Sequence, residues 1–302
     1  FNGQLLGSIA GDGSSPNQNL KPFTVAEKEV GLELKMFKSR VNLDVAAFEK
    51  TTTDQILNVQ ISSTSGYTST PQNLASLQNR GVEFMLEVIP VKTNNFKWSS
   101  TFNSTFVETE VLELAPGINN LVVQSYGGNE FLGQLVYEVG QPLNQLSAKT
   151  YKRDANGRLL LDSSGRVQAS TEYVNFGSAL PKWTGGWTNT FSYKNMSLLV
   201  FFDYKLGGKV ISSTALNGAR QGLNQLSLYG REGDVVLDGI IETTGQPNTN
   251  VLNTRDYWTD HRTGQIGDPF IYKSDFIKLR TITFTYDLTS LIKQNNNFPK
   301  FR

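Results

Sequence analysis

The chain has 302 residues, no cysteine, one histidine and a formal net charge of +1. That balance leaves no basic footprint for nucleic acid, and the missing thiols exclude disulfides, thiolate metal sites and cysteine nucleophiles. With His261 as the lone imidazole, a triad or a multi-histidine metal site is hard to build; no catalytic residue, metal site or cofactor is assigned, and the expectation is a protein that is not an enzyme.

Period two organises the sequence from the first strand onward. Val30, Leu32, Leu34 and Met36 alternate with Glu29, Glu33 and Lys35. A second run sets Val41, Leu43, Val45 and Ala47 against Asn42 and Asp44. A third sets Val82, Phe84, Leu86 and Val88 against Glu83 and Glu87. In the fourth, Phe96, Trp98, Phe102 and Phe106 alternate with Lys97, Ser99, Thr101, Asn103 and Thr105. The fifth places Trp183, Trp187, Phe191 and Tyr193 against Thr184, Thr188, Thr190 and Ser192. A sixth, Leu198 to Lys205, is apolar on both faces until Asp203, which leaves its orientation open. The seventh, Phe276 to Leu288, puts Ile282, Phe284 and Tyr286 opposite Thr281, Thr283 and Thr285.

Connection lengths add what alternation alone lacks. Short turns at Lys38 to Arg40, Val91 to Asn95 and Lys194 to Ser197 alternate with long polar connections at Thr51 to Arg80, Glu108 to Lys182 and Leu206 to Asp275. An outer-membrane barrel shows that asymmetry, because one rim carries tight turns and the other the extracellular loops. No eighteen-residue apolar stretch is present, so strands are the only way for this chain to span a membrane. Phe37, Phe96, Trp98, Phe191 and Tyr193 flank the short turns, where an interfacial aromatic girdle belongs. Within the second long connection, Asp154 to Gly157 and Asp162 to Gly165 are turn signals around Leu159 to Leu161. Asp154 and Asn156 echo a calcium loop, but the later acidic ligands are missing. Gly185, Gly186, Gly207 and Gly208 read as bends, and His261, in TDHRTGQ, reads as a solvent-exposed loop residue.

The segments LKPFTVAEKEVGLELKMFKSRVNLDVAAFEKTTTDQIL (Leu20 to Leu57), QNRGVEFMLEVIPVKTNNFKWSSTFN (Gln78 to Asn103), PKWTGGWTNTFSYKNMSLLVFFDYKLGG (Pro181 to Gly208) and SDFIKLRTITFTYDL (Ser274 to Leu288) resemble the C-terminal part of the barrel in SusC/RagA-type TonB-linked outer-membrane proteins of the Bacteroidetes. The resemblance implies an all-β fold, a transmembrane antiparallel barrel segment of about seven or eight strands from the 22-stranded class. It also implies import of oligosaccharides or peptides across the Gram-negative outer membrane, a SusD-like surface lipoprotein as partner, and energy from a TonB–ExbB–ExbD complex. No signal sequence, TonB-box-like segment or plug is recognised. On this reading the edges pair with other segments of the barrel, and a further strand is expected after the turn Thr289 to Asn297.

Such a wall needs a polar lumen and loops that recognise ligand. The lumen-facing candidates are Glu29, Glu33, Lys35, Asp44, Glu83, Glu87, Lys97 and Asp203. Sugar rings stack on aromatic faces, so the loop aromatics Tyr67, Tyr126, Tyr229, Tyr257 and Trp258 are candidates for contact with ligand or lipoprotein. Two other readings share the alternation. One is a soluble or surface β-sandwich whose long loops bind a ligand; the other is a polysaccharide-degrading enzyme, for which no acid/base carboxylate pair stands in an enclosing context.

Overall fold

Runs that alternate apolar with polar residues satisfy a pleated strand, whose side chains point to opposite faces. The computed structural model describes residues 13–115, 117–126 and 132–289. Strands β1 (Thr24–Met36), β2 (Val41–Gln60), β3 (Ser69–Lys92) and β4 (Phe96–Glu113) follow one another as antiparallel hairpins. A long excursion then holds β5 (Asn120–Tyr126), β6 (Gly133–Glu138), β7 (Gln145–Tyr151), β8 (Leu160–Leu161) and β9 (Ala169–Ser178). The chain returns through β10 (Trp183–Tyr193) and β11 (Met196–Leu206). A second excursion carries β12 (Lys209–Ile211), α1 (Ser213–Arg220), β13 (Ile240–Ile241), α2 (Thr254–Thr263) and β14 (Ile271–Lys273) before β15 (Phe276–Tyr286). The main sheet is antiparallel with seven strands in the order β1-β2-β3-β4-β10-β11-β15, and it is not closed.

All seven alternating runs are strands of this sheet, and register sorts their residues into two faces. Leu34, Leu43, Leu86, Phe102, Trp187, Phe202 and Leu279 form one cross-sheet row, and Glu33, Asp44, Met85, Asn103, Gly186, Asp203 and Lys278 form a row on the other face. The sixth run, left open by sequence, is oriented by its neighbours. Leu198, Val200 and Phe202 pair with Phe284, Ile282 and Leu279 on the apolar face, so Phe201 falls on the polar one. A bulge opposite Phe201 and Phe202 inserts Arg280, whose guanidinium pairs with Asp203. The extra residue shifts parity, so Ile277 and Leu279 join Ile282 and Phe284 on one face.

The apolar face includes Ser100, Ser104 and Asn189, and each is capped by an aromatic donor. Trp187 Nε1 donates to Ser100 Oγ at 2.8 Å, the Tyr204 hydroxyl to Ser104 Oγ at 2.6 Å, and Trp98 Nε1 to Asn189 Oδ1 at 3.1 Å. An uncapped polar group on an apolar surface is costly wherever water is excluded, and these pairs remove that cost. Gly185 and Gly186 are mid-strand residues rather than bends. A side chain at Gly186 would collide with the Phe201 ring, and one at Gly185 with the Tyr204 ring and the Asn103 carbonyl. Gly207, at φ +94°, does turn the chain out of β11.

The expected long connection from Thr51 to Arg80 is mostly strand. β2 runs to Gln60 and β3 starts at Ser69, leaving a turn over 61–68. At about 3.3 Å per residue such strands outreach a bilayer core. Beyond it Ala75, Leu77 and Val111 are buried with Leu114 and packed by Leu57, Leu121 and Tyr137, so the two-residue hydrophobic period is interrupted while the backbone ladder continues. The strand expected after Thr289 falls on 290–302, outside the described residues.

The two remaining excursions interlock. β5, β6, β7 and β9 form a four-stranded sheet, β12 pairs with β14, and β8 pairs in parallel with β13. Leu161 and Val167 from the first excursion share a buried cluster with Val235, Leu237, Ile241, Leu252 and Ile266 from the second. Leu132 likewise packs with Leu216, Ala219, Trp258 and Phe270. Polar links cross the same seam: Arg166 to Asp260 at 2.8 Å, Thr150 Oγ1 to Asp268 at 2.6 Å, and Lys152 to Glu242 at 2.5 Å. The loops therefore form a module with a core of its own. Its turns repeat at an eight-residue interval. Asp154 Oδ1 accepts the amides of Asn156 and Arg158, and Asp162 Oδ1 those of Ser164 and Arg166, with Gly157 and Gly165 at φ +82° and +78°.

Candidate functional site

Three of the aromatic candidates, Tyr229, Tyr257 and Trp258, converge because a helix forms where a loop was expected. Asn253 caps α2, its side-chain oxygen accepting the Arg255 amide at 2.8 Å, and Gly264 follows the last turn. Helical spacing places Tyr257 and His261 on one face, and Trp258 beside them, with ring centroids 4.7 Å apart for Tyr257 and His261 and 4.9 Å for Tyr257 and Trp258. Tyr229 tilts against Tyr257 at 6.3 Å. Asn224, Gln225, Leu226, Tyr229, Tyr257, Trp258 and Tyr272 line a recess of about 770 Å³. Among the described residues, no charged side chain lines it.

Two expectations are corrected here. Trp258 is a core residue rather than an exposed loop aromatic, 5% exposed and packed on Phe270. His261 is fully buried, not solvated. Its Nδ1 faces the Tyr257 carbonyl at 2.8 Å and so carries the proton; Nε2 then accepts from the Tyr151 hydroxyl at 2.6 Å. Burial pushes the imidazole down to about 4, against the smaller opposing effect of the carbonyl bond. Burial raises Tyr151 and Tyr257 as well. Asp260 is raised because burial outweighs its bond to Arg166, while Arg166 is raised mainly by Asp260.

Tyr229 is exposed, and Tyr257 is half-buried in the recess wall. Tyr67 lies half-buried in the turn between β2 and β3 and is not part of this recess. Tyr126 closes β5, with a side chain outside the described residues. The sequence did carry a signal for the helix: Asn253 as cap, Asp256 in the first turn, His261 and Arg262 in the last, then Gly264. Its low hydrophobic content hid it.

The eight polar-wall candidates share one face of the sheet. Glu33 registers with Asp44, Lys35 with Asn42, Asn42 with Glu87, Ala46 with Glu83, and Lys97 with Ser192. Glu29 sits opposite Phe48, whose ring occupies the space beside Gly81. Local pairs hold this face: Lys35 with Glu33 at 2.7 Å, Asn42 Nδ2 donating to Glu87 at 3.1 Å, and Arg280 with Asp203. The opposite face leaves Val30, Leu32, Trp187, Ile277, Ile282 and Phe284 exposed. No described helix is long and apolar enough to cross a membrane.

Residues 1–218 match the family described as TonB dependent receptor-like, beta-barrel. TonB-dependent receptor P3 of Formosa agariphila is 24% identical over 293 residues, covering 90% of this chain and 28% of that protein. TonB-dependent receptor SusC of Bacteroides thetaiotaomicron is 23% identical over 309 residues, covering 92% and 27%. The RagAB peptide importer in its closed-closed state superposes with a TM-score of 0.64 at 18% identity, over 91% of this chain and 30% of that one. The chain thus spans 27–28% of the length of these two curated relatives. With an open, two-faced antiparallel sheet and a family match over most of its length, the chain belongs to the TonB-dependent receptor β-barrel family.

Proposed function

We propose that this chain forms part of the barrel wall and extracellular loops of a SusC-like outer-membrane importer. The cargo is an oligosaccharide or a peptide, a SusD-like lipoprotein closes over the loops, and TonB–ExbB–ExbD supplies energy through other parts of the protein. The observation that carries the reading is the two-faced sheet. Its apolar side leaves large side chains exposed on β1, β3, β10, β11 and β15, a surface suited to lipid, while its charged side suits a hydrated lumen. The wall candidates Glu29, Glu33, Lys35, Asp44, Glu83, Glu87, Lys97 and Asp203 line that lumen, and the sheet edges at β1 and β15 meet the rest of the barrel.

In this reading the recess around Tyr229 and Tyr257 contacts cargo or the lipoprotein. Relatives named for SusC and for a RagAB peptide importer support the transport class and leave both cargo chemistries open. The test uses the intact importer in its host. Tyr229→Ala is expected to lower uptake of a labelled oligosaccharide or peptide cargo about tenfold, the equivalent of about 1.4 kcal/mol of lost contact. Barrel assembly, read as heat-modifiable gel mobility, stays unchanged. Uptake equal to that of the parent protein removes the recess from the transport path, and an importer that stays in solution without detergent refutes the wall reading itself.

A further inference from the structure

The apolar face is not uniform. Trp183 and Trp187 stand four residues apart on β10, with Gly185 between them and Ser104 beside Gly185 on β4. Two small residues among large ones leave a recess of about 910 Å³, lined by Val82, Phe84, Phe102, Trp183, Phe202 and Ile277 among others. Its walls are set before any ligand arrives. Phe106 packs on Trp183 at 4.9 Å, Phe84 on Phe102 at 6.1 Å, Trp187 on Phe202 at 6.1 Å, and Phe102 stacks with Tyr204 at 6.2 Å. The Trp187 indole N–H and the Tyr204 hydroxyl are spent on Ser100 and Ser104, so those donors do not recruit water into it.

We propose that this recess holds one acyl chain of the outer-leaflet glycolipid, the lipid A portion of lipopolysaccharide, as a retained structural lipid. The proposal rests on the reading of this sheet as membrane wall. Trp183 follows the first long excursion and Leu206 precedes the second, so the recess lies toward the loop-bearing rim, the outer-leaflet side. The four-residue step from Trp183 to Trp187 spans about 13 Å at ~3.3 Å per residue. That is close to the depth of one leaflet, about half of a ~30 Å hydrocarbon core. A preformed, aromatic-walled concavity holds a flexible chain at little ordering cost on the protein side. A second copy of this chain is a poorer occupant. A twofold contact sets the same patch against itself, and two concave surfaces enclose a void instead of filling one.

The experiment is native mass spectrometry of the intact importer, released into mild detergent and stripped of lipid stepwise. The parent protein is expected to keep one lipid A molecule per barrel after bulk lipid has gone. Trp187→Ala, which removes a wall, and Ile277→Trp, which fills the recess from an exposed position, are each expected to lower that retention at least fivefold. Ile282→Ala, on the same face outside the recess, leaves it unchanged. Equal retention in all four proteins, a phospholipid held in place of lipid A, or a disulfide-linked dimer from Trp183→Cys overturns the proposal. Heat-modifiable mobility checks assembly of each variant, and Ile277→Trp decides the matter if Trp187→Ala fails to assemble. Failure of the wall reading is separately visible, as solubility without detergent before any lipid is counted.

Discussion

The seven-stranded sheet and the loop module use the same apolar residues to opposite ends. In the sheet, Val30 and Ile277 are both 73% exposed, whereas Leu161, Leu216 and Ile266 in the module are fully buried. The module is organised as a small water-soluble domain is: two clusters of aliphatic and aromatic side chains, with polar links across the seam. Among the described residues, burial in the sheet strands is confined mainly to the extended ends of β3 and β4, where Ala75, Leu77 and Val111 pack with Leu114, while the apolar face of the strands beyond them relies on a different solvent. What stabilises a side chain is the medium it leaves and the one it enters, so burial within the protein is only one of two routes.

The sharpest test of that contrast is Phe270→Ala. Phe270 is fully buried among Leu132, Leu216 and Trp258, and truncation there is expected to cost about 3–5 kcal/mol. Hydrogen exchange is expected to rise across residues 132–178 and 209–273 while the strands of the sheet stay protected. Simultaneous loss of both would show that module and wall are one cooperative unit. Next, Ile282→Arg places a charge midway along the apolar face of β15 and is expected to cost about 2–4 kcal/mol of membrane stability. Thr283→Arg, on the opposite face, is expected to cost little. Equal effects on refolding into lipid vesicles would dissolve the distinction between the two faces.

A pH titration separates the regions further. His261 has its folded value pushed down to about 4 from 6.5 in the unfolded chain, so the unfolded state binds the proton first. Its contribution is fully present above about 6.5 and is lost as pH falls toward 4, an effect of at most about 3 kcal/mol. Raised Asp260 acts in the opposite sense, gaining stability as it protonates at the acid end, and so offsets part of the loss. Proteolysis of the loops at pH 4.5 against pH 7.5 is expected to show the module loosening while the wall holds, and His261→Gln is expected to flatten that slope.

How much of this was legible follows the same division. Each of the seven wall strands announced itself, since lipid on one side and water on the other print a two-residue period into Leu32, Leu34, Val45, Phe84 and their neighbours. Beyond the bilayer the imprint stopped, and the paired extensions of β2 and β3 read as loop. The bulge at Arg280 was invisible for a related reason: a one-residue insertion is recognised only against the partner strand it is inserted opposite.

The module was hardly legible. His261 and Trp258 sit in a sequence of charged and hydroxylated residues, and their burial depends on Tyr151 and Phe270, which lie in other segments of the chain. Likewise Arg158 and Arg166 follow the same eight-residue turn pattern, yet Arg158 folds back onto Asp154 and Arg166 reaches Asp260 in the other excursion.

By itself the sequence determined the strand class, the two faces and the family resemblance, because each strand reports its own surroundings residue by residue. Only the tertiary structure decided that two long loops share one core, that three of the aromatic candidates gather around one recess, and that a concavity interrupts the apolar face. Those features come from residues brought together across the fold, and spacing along a single chain carries no record of such meetings.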